Sequence, residues 1–319
     1  MSRTMANVLD QQIGSDWAMY NADCIPVLQS MPDASVHYSV FSPPYLSLYT
    51  YSASDRDVGN CASDDEFWKH FGFVIDELFR LVKPGRNVSV DCMNVPAMKE
   101  RDGYIGIKDF RGDIIRAFVA RGFVFHSEHC IRKDPLIEAT RTKAIGLMHK
   151  QLVKDSAMCR AGLAQYLLTF RVPGENAEPI PHPNGIDPFI GMDEPEDGVT
   201  SHQRWRRYAE PIWTDINFQR TLNARAARED ADERHVCPMA LDIIERALQL
   251  WTNPGEIVLS PFAGIGSEGY AAVDMGRRFI GVELKRSYYD QACINLASVE
   301  PNSKNKQLSL FESTPGGNQ

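Results

Sequence analysis

"EIVLSPFAGIGSEGYAAVDMGRRFIGVEL", residues 256–284, begins as a run of branched apolar residues, passes through a glycine turn into a helical pattern, and ends in a second apolar run. Gly264, Gly266 and Gly269 spell G-x-G-x-x-G, and Glu283 follows Gly266 by 17 residues. This order is typical of a nucleotide-like ligand site, because glycines let the backbone approach the ligand and a carboxylate accepts hydrogen bonds from ribose hydroxyls. The motif alone indicates a dinucleotide, but a dinucleotide unit usually opens its fold, whereas here it lies near the end of the chain.

The alternation of strand and helix continues through most of the chain. It predicts a largely parallel sheet covered by helices on both faces, which is an α/β fold. The predicted strands are 17–22, 36–41, 86–92, 123–131, 165–170, 256–260 and 278–284, and the predicted helices are 64–82, 109–121, 239–251, 267–276 and 286–298.

Two segments depart from this alternation. Residues 134–164 have a helical pattern but lie between two predicted strands, and residues 172–235 begin with a stretch rich in Pro, Asp and Gly. A loop of that length is functional, disordered or an inserted subdomain. Residues 299–319 are polar and predict a flexible tail.

Composition sets the broad class of the protein. Of the 319 residues, 43% are hydrophobic and 24% charged, as in an ordinary globular protein with a sizeable core. The 7 cysteines occur singly and without zinc-site spacing, which indicates reduced thiols and no bound metal. No signal segment and no apolar run of about 18 residues occurs. We therefore expect a cytoplasmic protein that does not span a membrane.

Charge is segregated along the chain. The net charge of −8 argues by itself against a nucleic-acid partner. However, residues 131–171 hold eight Lys/Arg and three Asp/Glu, and residues 202–228 hold six Arg and two acids. Residues 172–200, between them, hold seven acids and no Lys or Arg. Either two basic stretches face something anionic, or each is a solvated helix face.

A stiff corner follows the second predicted strand. "VHYSVFSPPY" (36–45) alternates like a strand and then stops at Pro43 and Pro44, which cannot continue a helix and donate no ladder hydrogen bonds. The corner brings the Ser42 hydroxyl, the Pro43 carbonyl and the Tyr45 ring together at a strand end, where open α/β sheets hold their ligands. A surface turn is the plainer alternative.

These two motifs together carry a resemblance. "SPFAGIG" resembles the D/S-P-F-x-G-x-G loop that binds S-adenosylmethionine in amino-methylating DNA methyltransferases, and "SPPY" resembles their catalytic tetrapeptide. "YNADCIPVLQSMPDASVHYSVFSPPY" and "ERHVCPMALDIIERALQLWTNPGEIVLSPFAGIG" are similar to the opening and closing segments of the permuted β group. In that group the tetrapeptide comes first, a target-recognition segment second and the cofactor loop last.

The resemblance implies a Rossmann-like methyltransferase sheet with an inserted recognition segment. Its catalytic half would be 15–171, with a helical insertion at 134–164. The recognition segment would be 172–232, where the similarity fails, and the cofactor half 233–298.

S-adenosylmethionine is the cofactor that the resemblance implies. The residues that would bind it are Asp23, Pro238, Pro261, Phe262, Gly264, Gly266 and Glu283. Glu283 would bind the ribose, Asp23 the adenine amine, and the "RHVCP" stretch (234–238) would close over the methionine end. As alternatives, Asp23 could cap a helix over 24–30, and Glu283 could form an ion pair with Lys285 or Arg286.

The corner suits methylation of an exocyclic amine, which is a poor nucleophile because its lone pair is delocalised into the base. The Ser42 hydroxyl and Pro43 carbonyl would accept its two hydrogens, Pro44 would keep the corner rigid, and Tyr45 would stack on a flipped base. No metal or covalent intermediate is required. Serine at the first position of the tetrapeptide is associated with cytosine N4 among relatives, which favours cytosine over adenine N6.

Double-stranded DNA is the partner that this chemistry implies. The predicted contacts are Lys133, Arg141, Lys143, Arg204, Arg206 and Arg207, all from the two basic stretches. No nuclease motif occurs, so any restriction endonuclease is a separate chain, and a homodimer is one open arrangement.

Proteins of other classes remain as alternatives. A nicotinamide-dependent oxidoreductase would use the glycine loop but leaves "SPPY" unexplained, and a non-catalytic DNA-binding protein would not need both motifs. A cytosine carbon-5 methyltransferase would need a Pro-Cys dipeptide, which the chain lacks. Enzymes that methylate RNA or protein glutamine use a similar tetrapeptide, usually with Asn first.

Overall fold

The computed structural model describes residues 8–44, 64–97, 99–142, 144–182, 186, 201–227 and 238–299. Their strands are β1 Asp10–Ile13, β2 Trp17–Asn21, β3 Tyr38–Phe41, β4 Asn87–Met93, β5 Val95–Ala97, β6 Gly106–Lys108, β7 Val124–Ile131, β8 Gln165–Arg171, β9 Ile212–Trp213, β10 Ile257–Ser260 and β11 Arg278–Glu283. Their helices are α1 Cys24–Ser30, α2 Asp64–Leu81, α3 Lys99–Asp102, α4 Phe110–Val119, α5 Pro135–Thr142, α6 His149–Lys154, α7 Ser201–Ala209, α8 Leu241–Trp251, α9 Ser267–Asp274 and α10 Arg286–Ala297.

A nine-stranded sheet in the order β1-β2-β11-β10-β3-β4-β8-β7-β9 forms the centre of the molecule. Strands β2, β11, β10, β3 and β4 are parallel neighbours, while β8 runs antiparallel to both β4 and β7. Strand β7 therefore points the same way as β4, and β9 pairs parallel with it. We call the side on which these strands end the carboxyl edge. The predicted α/β fold with a largely parallel sheet is confirmed.

The two faces of the sheet bury separate cores. On one face α2 presents Phe67, Phe71, Val74, Ile75 and Leu78 at helical spacing. On the other face, α8, α9 and α10 pack against the strand side chains that point to that face, such as Tyr38 and Val40. Alternate residues of one strand point to opposite faces, so β3 is buried on both sides. This double burial explains its continuous apolar sequence.

Every predicted strand and helix is present within three residues of its expected bounds. The sequence pattern did not predict the strands β1, β5, β6 and β9. Strand β1 is the polar sequence DQQI at the sheet edge, β5 contains Pro96, and β9 has 2 residues. Short or polar strands at an edge bury little apolar surface and carry no alternating signal.

Segments between strands divide between the two edges of the sheet. The 134–164 segment connects the end of β7 to the start of β8, so it lies at the carboxyl edge and contains α5 and α6. The acidic segment leaves β8 at the opposite edge, where Glu178 pairs with Lys83 and His37. The first basic stretch (131–171) and the acidic stretch thus begin at opposite edges.

Within the described part of the chain, no helix combines the length and the apolar composition needed to cross a membrane. The predicted tail beyond Val299 lies outside the described residues.

Candidate active site

The proline corner lies at the carboxyl end of β3. Ser42 directly follows the buried Phe41 and is half-buried, while Pro43 and Pro44 are buried. The Ser42 hydroxyl donates a hydrogen bond to Asp91 Oδ2 at 3.0 Å. Asp91 lies on the neighbouring strand β4, where Phe41 faces Val90 in register. The predicted site serine is thus held by a carboxylate on the next strand.

Asp91 is an acidic residue inside an apolar strand, and it is only 4% exposed. Gln165 Nε2 donates to both carboxylate oxygens, at 2.7 and 2.8 Å. Burial raises the pKa of Asp91 to about 6, against the opposing effects of the Gln165 hydrogen bond, the Lys133 charge and the Ser42 hydrogen bond. Sequence reasoning missed Asp91 and Gln165. A charged residue in the buried run "VSVDC" was the one available signal.

Lys133, which was predicted to contact DNA, is half-buried at the carboxyl edge. Its ammonium group is 3.2 Å from Met93 Sδ and 5.1 Å from the centroid of the Phe218 ring. Its charge also acts on Asp91. The structure therefore associates Lys133 with the Ser42 corner, beside the hydrogen-bonded carboxylate.

The glycine loop lies at the carboxyl end of β10, next to the proline corner because β10 pairs with β3. Gly264 and Gly266 have φ of +52° and +83°, the left-handed region that favours glycine. A Cβ on Gly264 would meet no atom within 4 Å, whereas one on Gly266 would lie 3.1 Å from the Ala292 Cβ. Gly264 therefore opens the loop to a ligand, and Gly266 lets it pack against α10.

Glu283 ends β11 beside this loop. One carboxylate oxygen accepts from the Gly264 amide and the other from the Lys285 amide, each at 2.8 Å. The carboxylate therefore fixes the loop through backbone donors. The alternative weighed for Glu283, an ion pair with Lys285 or Arg286, stays a prediction. Pro261 is buried and the half-buried Phe262 ring packs 5.8 Å from Phe41, joining loop and corner.

The end of β2 completes this group. Asn21 Nδ2 donates to the carbonyls of Glu283 and Leu284, both at 2.9 Å. Asp23 follows and caps α1, because its Oδ1 accepts from the Ile25 amide at 3.0 Å. The capping role weighed for Asp23 is confirmed, and its position beside Glu283 keeps it near the loop.

The sequence profile of the DNA methylase family (N6_N4_Mtase) matches residues 36–293, which include both the corner and the glycine loop. The chain belongs to this family. It is 37% identical over 296 residues to the Type II methyltransferase M1.MboII of Moraxella bovis, a match that covers 89% of this chain and 98% of the relative. S-adenosylmethionine is the cofactor, and the protein is a DNA methyltransferase that acts on an exocyclic amine.

Solved structures agree on the Rossmann-like fold of this methyltransferase. PvuII DNA methyltransferase, described as cytosine-N4-specific, superposes with a TM-score of 0.61 at 17% identity, covering 96% of this chain and 95% of that one. TTHA0409 of Thermus thermophilus, described as a DNA modification methylase and solved with S-adenosyl-L-methionine, gives a TM-score of 0.59 at 24% identity, covering 86% of this chain and 90% of that one.

A short segment of the methyltransferase lies over the glycine loop. Ala224 and Ala227 pack with Ile265 of the loop and Tyr288 of α10. Arg220, just before them, pairs with Asp242 and Glu245 on α8. Pro238 is half-buried immediately before α8, whereas 234–237 lie outside the described residues.

The remaining predicted arginines lie on two helices of the methyltransferase. Arg206 and Arg207 are exposed on α7, where Tyr208 O lies 3.2 Å from His129 Nε2 of β7. Arg204 belongs to α7 and Arg141 to α5. Tyr45 and Lys143 lie outside the described residues.

Asp23→Ser should separate the two roles of Asp23, because serine caps a helix as well as aspartate but has no carboxylate. We expect the free energy of unfolding to change by only a few tenths of a kcal/mol. Affinity for S-adenosylmethionine should fall about fivefold to tenfold, the value of one hydrogen bond to the adenine amine. Calorimetry with Asp23→Ala as the uncapped control measures both, and an unchanged affinity would leave Asp23 with the cap alone.

Proposed function

We propose that this methyltransferase transfers a methyl group from S-adenosylmethionine to N4 of a cytosine flipped out of double-stranded DNA. The observation that carries this proposal is the Ser42–Asp91 hydrogen bond at the end of β3, one strand away from the glycine loop. It gives the corner a hydroxyl whose hydrogen is already donated, so that its lone pairs are available to an amine.

The cofactor fits the residues present. The open space above Gly264 accommodates a ligand against the loop backbone, and Glu283 offers the carboxylate that ribose hydroxyls require. Asp23 would bind the adenine amine, and Pro261, Phe262, Gly266 and Pro238 would form the surrounding wall. When bound, S-adenosylmethionine supplies a methyl group on a positively charged sulfur.

Ser42 and the Pro43 carbonyl hold the amine in this proposal. Two acceptors on its two hydrogens draw the nitrogen towards a tetrahedral geometry and localise its lone pair, which the rigid Pro43–Pro44 corner then aims at the methyl carbon. The nitrogen gains a positive charge as the N–C bond forms. It then gives one proton to Ser42 Oγ while the hydroxyl proton passes to Asp91, so that charge is neutralised within the corner.

Lys133 and Gln165 set the protonation of Asp91. Both favour the ionised carboxylate, which burial opposes. With a pKa of about 6, Asp91 is ionised at neutral pH and still accepts a proton readily. Tyr45 would stack on the extruded base.

Serine at position 42 is the basis for cytosine as the target, by its association with N4 methylation in similar sequences. Incubating the protein with S-adenosylmethionine and mixed-sequence DNA, then digesting to nucleosides, should yield N4-methyldeoxycytidine by mass spectrometry. Methyldeoxyadenosine with no methyldeoxycytidine would overturn the choice of base, and no methylated nucleoside would overturn transfer to DNA. Ser42→Ala is the control for background methylation.

Exposed arginines on α7 are the proposed phosphate contacts, with Arg204, Arg141 and Lys143 as further candidates.

The double change Arg206→Glu and Arg207→Glu should weaken DNA binding at least tenfold and lower the slope of log affinity against log salt by about 2, because each lost phosphate contact releases about one counterion fewer. Lys69→Glu with Arg116→Glu, two exposed residues on α2 and α4, is the matched control. Equal slopes for both variants in a salt titration would move the contact surface elsewhere.

The relatives are Type II modification enzymes, which suggests a separate restriction endonuclease as a functional partner. The homodimer stays a prediction, as do the boundaries of the recognition segment at 172 and 232.

A further inference from the structure

Glu268 is a buried carboxyl group that the mechanism above does not use. It is the second residue of α9, directly after the glycine loop, and is only 4% exposed. It accepts a hydrogen bond from its own backbone amide. Across the described residues, no lysine, arginine or histidine forms an ion pair with it. A buried carboxyl without a cationic partner is costly to ionise and needs a reason to be there.

The charges of both parts of the site act on Glu268. Asp91 of the catalytic corner and Glu283 of the loop both act on it as like charges. Burial is the largest effect, and together these raise the pKa of Glu268 to about 8. At the base of the glycine loop, the buried Ser260 hydroxyl has no hydrogen-bond partner within the described ranges.

The cofactor brings one positive charge into this space. Its ribose would bind at Glu283 and its methyl must reach the amine at Ser42, so the sulfur that joins them lies over the glycine loop, which leads directly into the first turn of α9 with the buried Glu268. S-adenosylmethionine carries a sulfonium, whereas the product S-adenosylhomocysteine carries a neutral thioether. A carboxylate in a buried site attracts the first far more strongly than the second.

We propose that Glu268 recognises the charge on the cofactor sulfur, so that the pocket prefers S-adenosylmethionine to S-adenosylhomocysteine. This inference rests on the proposed placement of the cofactor over the glycine loop. Glu268 acts as a specificity-determining residue for substrate over product, and it favours product release once the charge is gone.

Protons and charge balance over one cycle. Protonated Glu268 loses a proton when the sulfonium binds. In methyl transfer the S–CH3 bond breaks with its electron pair left on sulfur, the amine lone pair forms the N–CH3 bond, and the amine releases one proton. Glu268 takes up one proton as the neutral product forms. The net reaction releases a single proton, and the protein returns to its starting state.

Glu268→Gln tests this with binding alone, by calorimetry with each ligand at pH 6 and pH 8.5. Because the empty-pocket pKa is raised and a cation lowers it, wild-type affinity for S-adenosylmethionine should rise about tenfold over this range. The affinity for S-adenosylhomocysteine should not. Both ligands carry the same α-amino group, so its titration cancels in the ratio of the two affinities. In Glu268→Gln the ratio of the two affinities should fall about tenfold at pH 8.5 and lose its pH dependence.

Two controls separate the causes. Asp274→Asn, at the far end of the same helix, should leave the ratio unchanged, and Asp91→Asn corrects for the other titrating carboxyl that faces Glu268. Equal weakening of both ligands by Glu268→Gln, or no change in either, overturns the recognition of charge. If a bulky residue at Gly264 leaves binding intact, the cofactor lies elsewhere and the proposed placement fails first.

Discussion

Asp91→Asn should lower kcat by about 10²-fold to 10⁴-fold, the usual range for loss of a group that accepts a proton in the transition state. Affinity for S-adenosylmethionine should stay within threefold of wild type, because Asp91 hydrogen-bonds Ser42 and its charge reaches the cofactor site only indirectly, through Glu268. The pH profile is the more specific signature. Wild-type kcat should rise as Asp91 ionises through a pKa of about 6 and then level off, and this rise should disappear in the variant.

The same change should not destabilise the fold. Folding raises the Asp91 pKa from 3.8 to about 6, so the native protein holds the proton more tightly than the unfolded chain, and stability falls as pH rises between these values. The ionised group then costs roughly 3 kcal/mol at neutral pH, at about 1.4 kcal/mol per pKa unit. Asparagine avoids that cost. We expect an unfolding free energy at or above that of wild type, measured by urea denaturation at pH 7.

Asp76→Asn is the control. Asp76 is an exposed acid on α2, away from the carboxyl edge, and it pairs with Arg121. It should keep full activity. Asp91→Asn activity within threefold of wild type would show that Ser42 works without its carboxylate. A large loss of stability would show that Asp91 is a structural group.

Gly264→Val should weaken S-adenosylmethionine binding at least a hundredfold. Gly264 has a φ of +52°, and its Cβ position faces open space, so the valine side chain would occupy the volume that the ligand needs. The left-handed conformation also costs a branched residue about 1 to 2 kcal/mol. Calorimetry measures the affinity, and circular dichroism with a thermal melt checks that the fold persists.

Gly255→Val is a closely matched control. Gly255 has a φ of +78° and the same open Cβ environment, but it precedes β10 at the opposite edge of the sheet. It should lose a similar amount of stability and bind the cofactor normally. Equal affinities in the two glycine variants would remove the loop from the binding site.

Local pattern explains what the sequence could predict. The 256–284 unit and the proline corner are each encoded within a few dozen consecutive residues, and parallel strands end at a common edge, so their proximity follows from the fold class. Asp91 could not be predicted in this way, because its partners Ser42 and Gln165 are 49 and 74 residues away. Its role depends on strand pairing that no local pattern encodes.

Counting charged residues along the sequence also has a physical limit as a way to predict contacts. Lys133 was predicted as a DNA contact because it lies in a basic stretch, and its ammonium group also lies beside Met93 and the Phe218 ring. The sign of a charge is visible in the sequence, but the side of the sheet that it faces depends on where the strand ends. The short strands β1 and β9 were not predicted for a related reason, because edge strands bury too little apolar surface to show an alternating pattern.

The pairing of β3 with β10 has a consequence for how the protein is made. The Ser39 hydroxyl donates to the Leu259 carbonyl at 2.9 Å across 220 residues of chain. At about 5 to 20 residues per second, a ribosome needs roughly 10 to 40 s to travel that distance. During this time one hydrogen-bonding side of β3, an apolar strand, has no partner strand, which favours holding by chaperones and slow completion of the fold. No nascent chain ending before β10 could assemble both halves of the site, so methylation would begin only after β10 and the glycine loop have been synthesised.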